Sequence, residues 1–556
     1  MLRLVLVIVA LCVATTAAAV PPPPSFYEAV QRGDVNLEAF AASYIDAKIR
    51  GVDAPNPIYG PSNPPFGPDG AISNSHGHAD DDMNVLILLV DFSDNVAQTP
   101  AVYFDSLGYA VGSFSLRNFY SEISYGQLDI VTVNYPSSTG WQRVDSTYAW
   151  YVNNNYGWGP YPRNTRRLCE DLCYIIDPIV DFSQYDNDND GYVDGVNIVY
   201  AGTFDGTPST IWPHAWVTYN PPYLDGVTVW SYSVQDEYEN TPGDQSASTM
   251  CHEFGHVLGL PDLYDYGYDS YGVGKWCLMS FGVHNGGGWS PAHPCAWSRV
   301  AFGFAQMTNV TADDWYDLPA VEDTGVVYRL WTNGTASNEY FLVENRRPTG
   351  YDAALPAWGT LVWHIDDAVS GNNNQWYPGH TSSGHYQVAL EQADGLWELE
   401  QYIDAGDGGD PYPGWTNNQF FNVSTTPDSK DYLFVDTQVA VDSIPASADT
   451  VQVYLKVGVV GVAEEPVALP TVISLSASPN PFNPSTTFSF DLPEAGRVIL
   501  EVFDVLGRRV ATLVDDKKVA GSYEVAWNAD GLASGVYLAR LNANGMILTA
   551  RAVLLK

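Results

Sequence analysis

The sequence predicts a multidomain protein: a mixed α/β (α+β) domain built round one buried helix, a β-rich companion domain and a C-terminal Ig-like β-sandwich. Three observations carry this expectation. Strand and helix patterns alternate between residues 83 and 310, short strands dominate 311–458, and the charge balance changes after a polar linker at 459–471. Formal net charge is −41, from 65 acidic against 24 basic side chains, yet residues 472–556 contain eight of each. Such a break marks a domain boundary. The acidic excess argues against nucleic acid or an anionic membrane as partner.

At the N-terminus, Arg3 precedes the apolar run Leu4 to Val13 and the small residues Ala17, Ala18 and Ala19, so residues 1–19 read as a signal peptide. No other stretch approaches the roughly 18 apolar residues that a membrane helix needs. The mature chain is therefore expected outside the cytoplasm. Removing the signal removes Cys12 and leaves Cys169, Cys173, Cys251, Cys277 and Cys295, an odd number whose pairing stays open. Pro21 to Pro24 form a stiff spacer, and Leu37, Phe40, Ala41, Tyr44, Ile45 and Lys48 trace one face of an amphipathic helix. Asn56 to Asp82 is a Pro-, Gly-, Asn- and Asp-rich connector, within which His76 and His78 read as solvated loop. A small helical segment on such a connector suits a propeptide and linker over 20–82, with a tail packed on the next domain as the alternative.

The 83–310 domain opens with a buried strand at Val85 to Phe92 and a helical stretch at Phe114 to Ser121. A strand at Tyr192 to Tyr200 precedes the segment that carries the chemistry. There, Cys251 to Asp262 holds H-E-x-x-H followed by G-x-x-D. On a helix, positions i and i+4 share a face, so His252 and His256 can offer two imidazoles to one metal ion, zinc being the expected one. Glu253 then lies beside it, where a carboxylate can take a proton from the attacking water. Gly259 can supply a left-handed turn and Pro261 prevents the helix from continuing, so Asp262 follows a sharp turn as the candidate third ligand. His214, His284, His293 and Asp265 remain alternatives for that position. Met279 lies 17 residues after Asp262 in a glycine-bounded segment that resembles the metzincin turn, which implies an apolar floor under the metal; alone it would read as core packing.

At these residues the chain resembles the immune inhibitor A-like secreted metallopeptidases, whose H-E-x-x-H-x-x-G-x-x-D pattern is metzincin-like. The matching pieces are Asn84 to Phe92, Phe119 to Leu128, Trp212 to Trp216, the His252 helix with Leu263 to Asp265, the Met279 segment, and Tyr340 to Arg346. They span about 84–400, and no departure from the core motif is visible. The resemblance implies a zincin-like catalytic domain in an extracellular zinc endopeptidase made as a zymogen.

Part of the acidity looks specific. Asp186, Asp188, Asp190 and Asp194 fall at positions 1, 3, 5 and 9 of a calcium loop, with Gly191 at position 6. Asn197 stands where an EF-hand has glutamate, so a loop-to-strand Ca2+ site is expected rather than helix-loop-helix; an Asx-rich turn is the alternative. Asp404, Asp407 and Asp410 form a weaker second cluster. In 311–458, strands are expected at Val326 to Leu330, Glu339 to Glu344, Gly359 to His364 and Val451 to Val457. His364, a strand histidine near Asp366, reads as structural.

Residues 472–556 carry strand patterns at Phe488 to Leu492, Val498 to Phe503 and Val536 to Leu541. Pro479-Asn480-Pro481-Phe482 and Gly535-Val536-Tyr537 resemble the C-terminal sorting domains of type IX secretion, which implies outer-envelope secretion machinery as partner; an ordinary Ig-like binding module is the alternative. The reading is a secreted or surface-attached zinc-dependent endopeptidase acting on protein or peptide substrates. A calcium-stabilised surface binding protein on a dead peptidase scaffold is the competing class, and a zinc hydrolase of non-peptide substrates the third.

Overall fold

The computed structural model describes residues 21, 26, 29–30, 32–36, 40, 43–44, 46–48, 50, 52, 82–380, 384–458, 472–493, 496–518, 521–543 and 545–556. The signal-peptide segment, His76 with His78, and the expected linker lie outside the described residues. The chain forms two compact units, Met1–Val459 and Val460–Lys556. Among the described residues, no helix is long and apolar enough to cross a membrane.

The first unit is organised by a five-stranded sheet in the order Trp141–Arg143, Leu86–Asp91, Val196–Tyr200, Ser231–Asp236, His214–Val217. The first four strands run parallel and His214–Val217 is an antiparallel edge. Leu86–Asp91 and Val196–Tyr200 are buried at every position, as expected of parallel strands covered on both faces. Because successive side chains point to opposite faces, Ile87 and Leu89 enter the core that contains Phe254 and Met279. Leu86, Leu88 and Val90 enter a second core with Trp158, Trp212 and the N-terminal residues Phe26, Phe40 and Tyr44. The expected helix near Phe114 is Leu116–Ile123, where Ser115 Oγ accepts from Asn118 N–H. The helix Thr165–Ile176, capped by Asn164, carries Cys169 and Cys173 one turn apart. All five described cysteines are free and buried.

Beyond residue 305 the unit is β-rich. A five-stranded sheet orders Gln306–Asn309, Val326–Leu330, Glu339–Arg346, Gly359–Asp366 and Val388–Leu390, and a four-stranded sheet orders Asp314–Pro319, Thr450–Lys456, Ala440–Asp442 and Phe420–Phe421. Glu339–Arg346 serves two cores at once. Tyr340 and Leu342 pack into the core of Phe254 and Met279, while Phe341 and Val343 face the four-stranded sheet. The β-rich region is thus built onto the helix-bearing region through shared side chains.

A buried charge network ties the same strand down. Arg346 donates from Nε and Nη2 to Asp352, each at 2.8 Å, and pairs with Glu344 at 3.2 Å; Asp352 also accepts from the His293 backbone N–H at 2.9 Å. Burial alone would raise the Asp352 carboxyl, but Arg346, His293 and Arg299 outweigh it and hold it well below the usual carboxylate range.

The second unit has a three-stranded sheet, Ser474–Ser478, Ser485–Leu492 and Gly521–Asn528, and a four-stranded sheet ordered Arg509–Lys518, Gly496–Asp504, Gly535–Ala543, Met546–Leu554. Both contribute to one core that includes Phe488, Phe490, Leu500, Trp527 and Leu541. Ser485–Leu492 alternates between buried and less buried positions along its length, the pattern of a sheet with one wet face.

Asp352→Ala should remove the carboxylate that Arg346 grips twice, leaving only Glu344 and Glu322 against that charge in a dry interior, and cost about 3 kcal/mol, read as a fall in Tm. Since the folded pKa of Asp352 is depressed, its contribution is complete above the unfolded value near pH ~4. It should fade as pH falls through the folded value, and the parent's stability lead over Asp352→Ala should shrink in acid.

Candidate metal centre

The H-E-x-x-H residues lie on the helix Ser248–Val257, in which His252, Glu253 and His256 are all buried. Gly255, between them, lets the methionine segment approach: a Cβ there would stand 2.7 Å from Met279 Sδ. From the other side, Tyr120 Oη donates to the Cys251 carbonyl at 2.8 Å. The helix ends as its sequence requires. Gly259 takes φ +95°, open to glycine at little cost, and the Leu260 N–H bonds back to the Gly255 carbonyl at 3.0 Å. The reversal carries Asp262 back over the helix.

Three ligand atoms converge there. His252 Nε2 lies 3.2 Å from His256 Nε2 and 3.0 Å from Asp262 Oδ1, and His256 Nε2 lies 3.6 Å from the same oxygen. The other ring nitrogens are committed: His252 Nδ1–H donates to the Leu278 carbonyl and His256 Nδ1–H to the Leu260 carbonyl, both at 2.8 Å. With the protons on Nδ1, both Nε2 lone pairs point at one spot, the arrangement second partners impose on metal-binding histidines. Ligands at about 2.0–2.1 Å from a tetrahedral zinc stand roughly 3.3 Å apart. The set therefore fits zinc in both donor type and spacing. Burial depresses the His256 pKa well below its ordinary value, with the neighbouring His252 acting in the same direction, so the imidazole stays in its neutral, ligating form. Burial pushes the Asp262 carboxyl up; the Lys48 charge and the nearby Tyr264 and Tyr266 hydroxyls pull it down.

The alternatives for the third position are engaged elsewhere. His214 bonds to Thr165 Oγ1 and the Trp212 carbonyl, and His284 Nε2 meets the Pro21 carbonyl at 2.9 Å. His293 Nε2 meets Glu122, and Asp265 caps the turn at Gly267 and Ser270. Met279 is buried, and its carbonyl accepts from Leu263 N–H at 2.8 Å, which ties the methionine segment to the residue after Asp262.

Sequence reading missed how the N-terminal segment approaches the centre. Lys48, only 6% exposed, lies over the rings of Tyr44 at 4.6 Å and Tyr266 at 4.7 Å, and its charge acts on His256 and Asp262. Tyr44 Oη is 3.4 Å from Tyr264 Oη, and Phe40 stacks on Trp212. The amphipathic face of residues 37–48 was legible; its seat was not.

In the candidate calcium loop, Asp186, Asp188 and Asp190 offer carboxylate oxygens within 4.8 Å of one another. Asp194 accepts from the Asn187 backbone N–H at 2.6 Å and from its side-chain amide at 2.8 Å. Asn197 is away on the strand Val196–Tyr200, where it accepts from Ser233 Oγ. A second trio is Asp394, Glu398 and Asp407. Of the cluster expected there, Asp404 caps Gly406 and Asp410 accepts from the Trp276 indole N–H at 2.8 Å. His364 sits between Glu339 and Glu391, each at 3.0 Å, and is no part of the His252 group.

Fold and site together describe a helix-borne, two-histidine, one-carboxylate centre of the kind metallohydrolases use. Residues 88–310 match the family described as Immune inhibitor A peptidase M6, catalytic domain, and residues 476–555 match the Secretion system C-terminal sorting domain. The chain carries one domain of each kind, and its location is extracellular, at or beyond the cell surface. Among curated relatives, Immune inhibitor A of Bacillus thuringiensis subsp. alesti is 26% identical over 258 residues, 36% of this chain and 36% of that protein. Pre-pro-metalloprotease PrtV of Vibrio cholerae serotype O1 is 26% identical over 222 residues, 33% of this chain and 23% of that protein. The chain thus spans about a third of the length of the first and under a quarter of the second. The solved dimeric latent PorU of Porphyromonas gingivalis overlaps at TM-score 0.14 and 16% identity, covering 36% of this chain and 18% of that one, too little to bear on the fold.

Proposed function

We propose that the protein is a secreted zinc endopeptidase acting on protein or peptide substrates. The observation that carries this reading is the convergence of His252 Nε2, His256 Nε2 and Asp262 Oδ1 within 3.0–3.6 Å beside the buried carboxylate of Glu253. His252, His256 and Asp262 would hold the ion. When bound, zinc supplies Lewis acidity, polarising the scissile carbonyl and lowering the pKa of water. Glu253 works as general base: its carboxylate takes the proton of the attacking water and passes it to the departing amine. The backbone carbonyls of Leu278 and Leu260 keep both imidazoles in one tautomer and orientation. Met279 packs beneath Gly255 as a supporting apolar contact.

The same reading gives the rest of the chain its roles: signal peptide 1–19, propeptide and linker 20–82, zincin-like catalytic domain 83–310, β-rich companion 311–458, linker 459–471, and an Ig-like sorting domain at 472–556 used by type IX-like secretion machinery. The N-terminal segment serves as the zymogen's latch. Its support is the seating of Phe40, Tyr44 and Lys48 on Trp212, Tyr264 and Tyr266. Asp186, Asp188, Asp190 and Asp194 form a calcium site; burial raises the Asp190 carboxyl, and the charges of Asp188, Asp194 and Asp186 add to it.

Glu253→Gln should lower kcat by roughly 10²–10⁴-fold while retaining one zinc per chain; His256→Ala should lose both zinc and activity. Casein cleavage with metal analysis checks this, and near-parental turnover by Glu253→Gln would contradict it. A zinc-loaded chain that still cleaves no protein after its N-terminal segment has been removed would favour the binding-protein reading.

Cleaving the chain between residues 53 and 81 and separating the N-terminal piece should raise turnover about tenfold or more, and a synthetic 20–52 peptide should restore the block. Equal turnover before and after removal contradicts the latch.

Calcium at about 100 times its Kd should stabilise the parent by about 2.7 kcal/mol, seen as a higher Tm. Asp188→Ala combined with Asp190→Ala should abolish the response. A parent indifferent to calcium would mean that the loop is an Asx-rich turn alone.

A further inference from the structure

The β-rich region contains a pocket of about 170 Å³, below the ~300–1,000 Å³ of pockets that enclose drug-sized ligands and suited to one side-chain-sized group. Its lining includes Trp376, Trp397, Tyr432 and Phe434, together with Glu391 and Glu400. The walls are ordered ring against ring. Tyr432 is sandwiched between His385 at 3.6 Å and His364 at 4.1 Å, both nearly parallel to it, and Trp376 meets Phe434 at 5.5 Å. Trp397 and Phe434 are held at φ +51° and +64°. Such conformations cost a bulky residue of order 1–3 kcal/mol each and gather at ligand clamps.

The cationic side chains of the lining already have acidic partners. His364 is matched by Glu339 and Glu391, His385 Nε2 meets Asp366 at 2.8 Å, and Lys430 pairs with Asp428. Glu400 is 3% exposed, and its Oε2 accepts from the Gln392 amide at 2.6 Å. Among the described residues no cationic side chain forms an ion pair with it. Burial pushes its carboxyl up to about 8, so near neutral pH the acid is held largely protonated until a cation arrives to offset the burial. A carboxylate among aromatic faces is the chemistry that recognises an organic cation.

The pocket is also placed to matter. Leu399, beside Glu400, accepts from Tyr271 N–H at 2.8 Å, and Ala405 accepts from Lys275 N–H at 2.7 Å. Its wall is therefore bonded to the loop between Asp262 and Met279. We propose that this pocket binds the guanidinium or alkylammonium head of an arginine or lysine side chain on a polypeptide, forming a docking site separate from the metal centre. The inference does not rest on the peptidase reading, because binding is measured directly.

The test is equilibrium binding to the full chain, by calorimetry or tryptophan fluorescence. The probes are Nα-acetylarginine amide and Nα-acetyllysine amide, with Nα-acetylcitrulline amide as neutral isostere and maltose as carbohydrate control. The parent should bind a cationic probe saturably and citrulline at least roughly tenfold more weakly, the scale of a lost charged hydrogen bond. Glu400→Gln and the half-buried Trp376→Ala should each weaken binding by a similar factor with Tm little changed. If Glu400→Gln fails to fold, Trp376→Ala decides. Equal binding of citrulline, binding of maltose in place of the cations, parental affinity in Trp376→Ala, or no saturable binding would each overturn the proposal.

Discussion

Two imidazole lone pairs and a carboxylate oxygen held 3.0–3.6 Å apart in a dry interior make an arrangement that opposes itself unless a cation joins them. Leaving an ionised carboxylate buried without a partner costs several kcal/mol, and turning either imidazole away would break its bond to Leu278 or Leu260. Much of the first unit serves to impose this arrangement. The Gly259 turn returns Asp262 over the helix, and the methionine segment supplies both the Leu278 carbonyl and the packing beneath Gly255. Binding free energy for a metal is thereby coupled to folding free energy.

The β-rich region has a complementary role. Its strand Glu339–Arg346 cannot be peeled away without opening two cores, since alternate residues belong to each. Arg346 and Asp352 add a charge pair whose net worth over an apolar replacement is small, though breaking it is expensive. Its value is positional: Arg346 also reaches the Trp276 carbonyl, and Asp352 holds the His293 backbone, so the network fixes the approach to the methionine segment.

The centre was legible in the sequence because it is local. His252, Glu253, His256, Gly259 and Asp262 fall within eleven consecutive residues, and helical period plus one glycine turn suffices to bring them together. Strands with continuous apolar or alternating patterns, such as Leu86–Asp91 and Glu339–Arg346, were found within a residue or two. What could not be read came from distant partners. Lys48 marked an amphipathic face, but its charge next to Asp262 depends on Tyr44 and Tyr266 meeting in space. Asp194 matched a loop register by spacing, and its bond to Asn187 could not be read from that spacing. Trp376, Trp397, Glu400 and Phe434 have no common period, so only the fold assembles them.

The central claim is that His252, His256 and Asp262 hold one metal ion. Diffraction from the full chain measured on either side of the zinc absorption edge tests it most directly. The account predicts one strong anomalous peak about 2.0–2.1 Å from both Nε2 atoms and from an Asp262 oxygen. A peak bound by another set of residues, or none in zinc-replete protein, would contradict it.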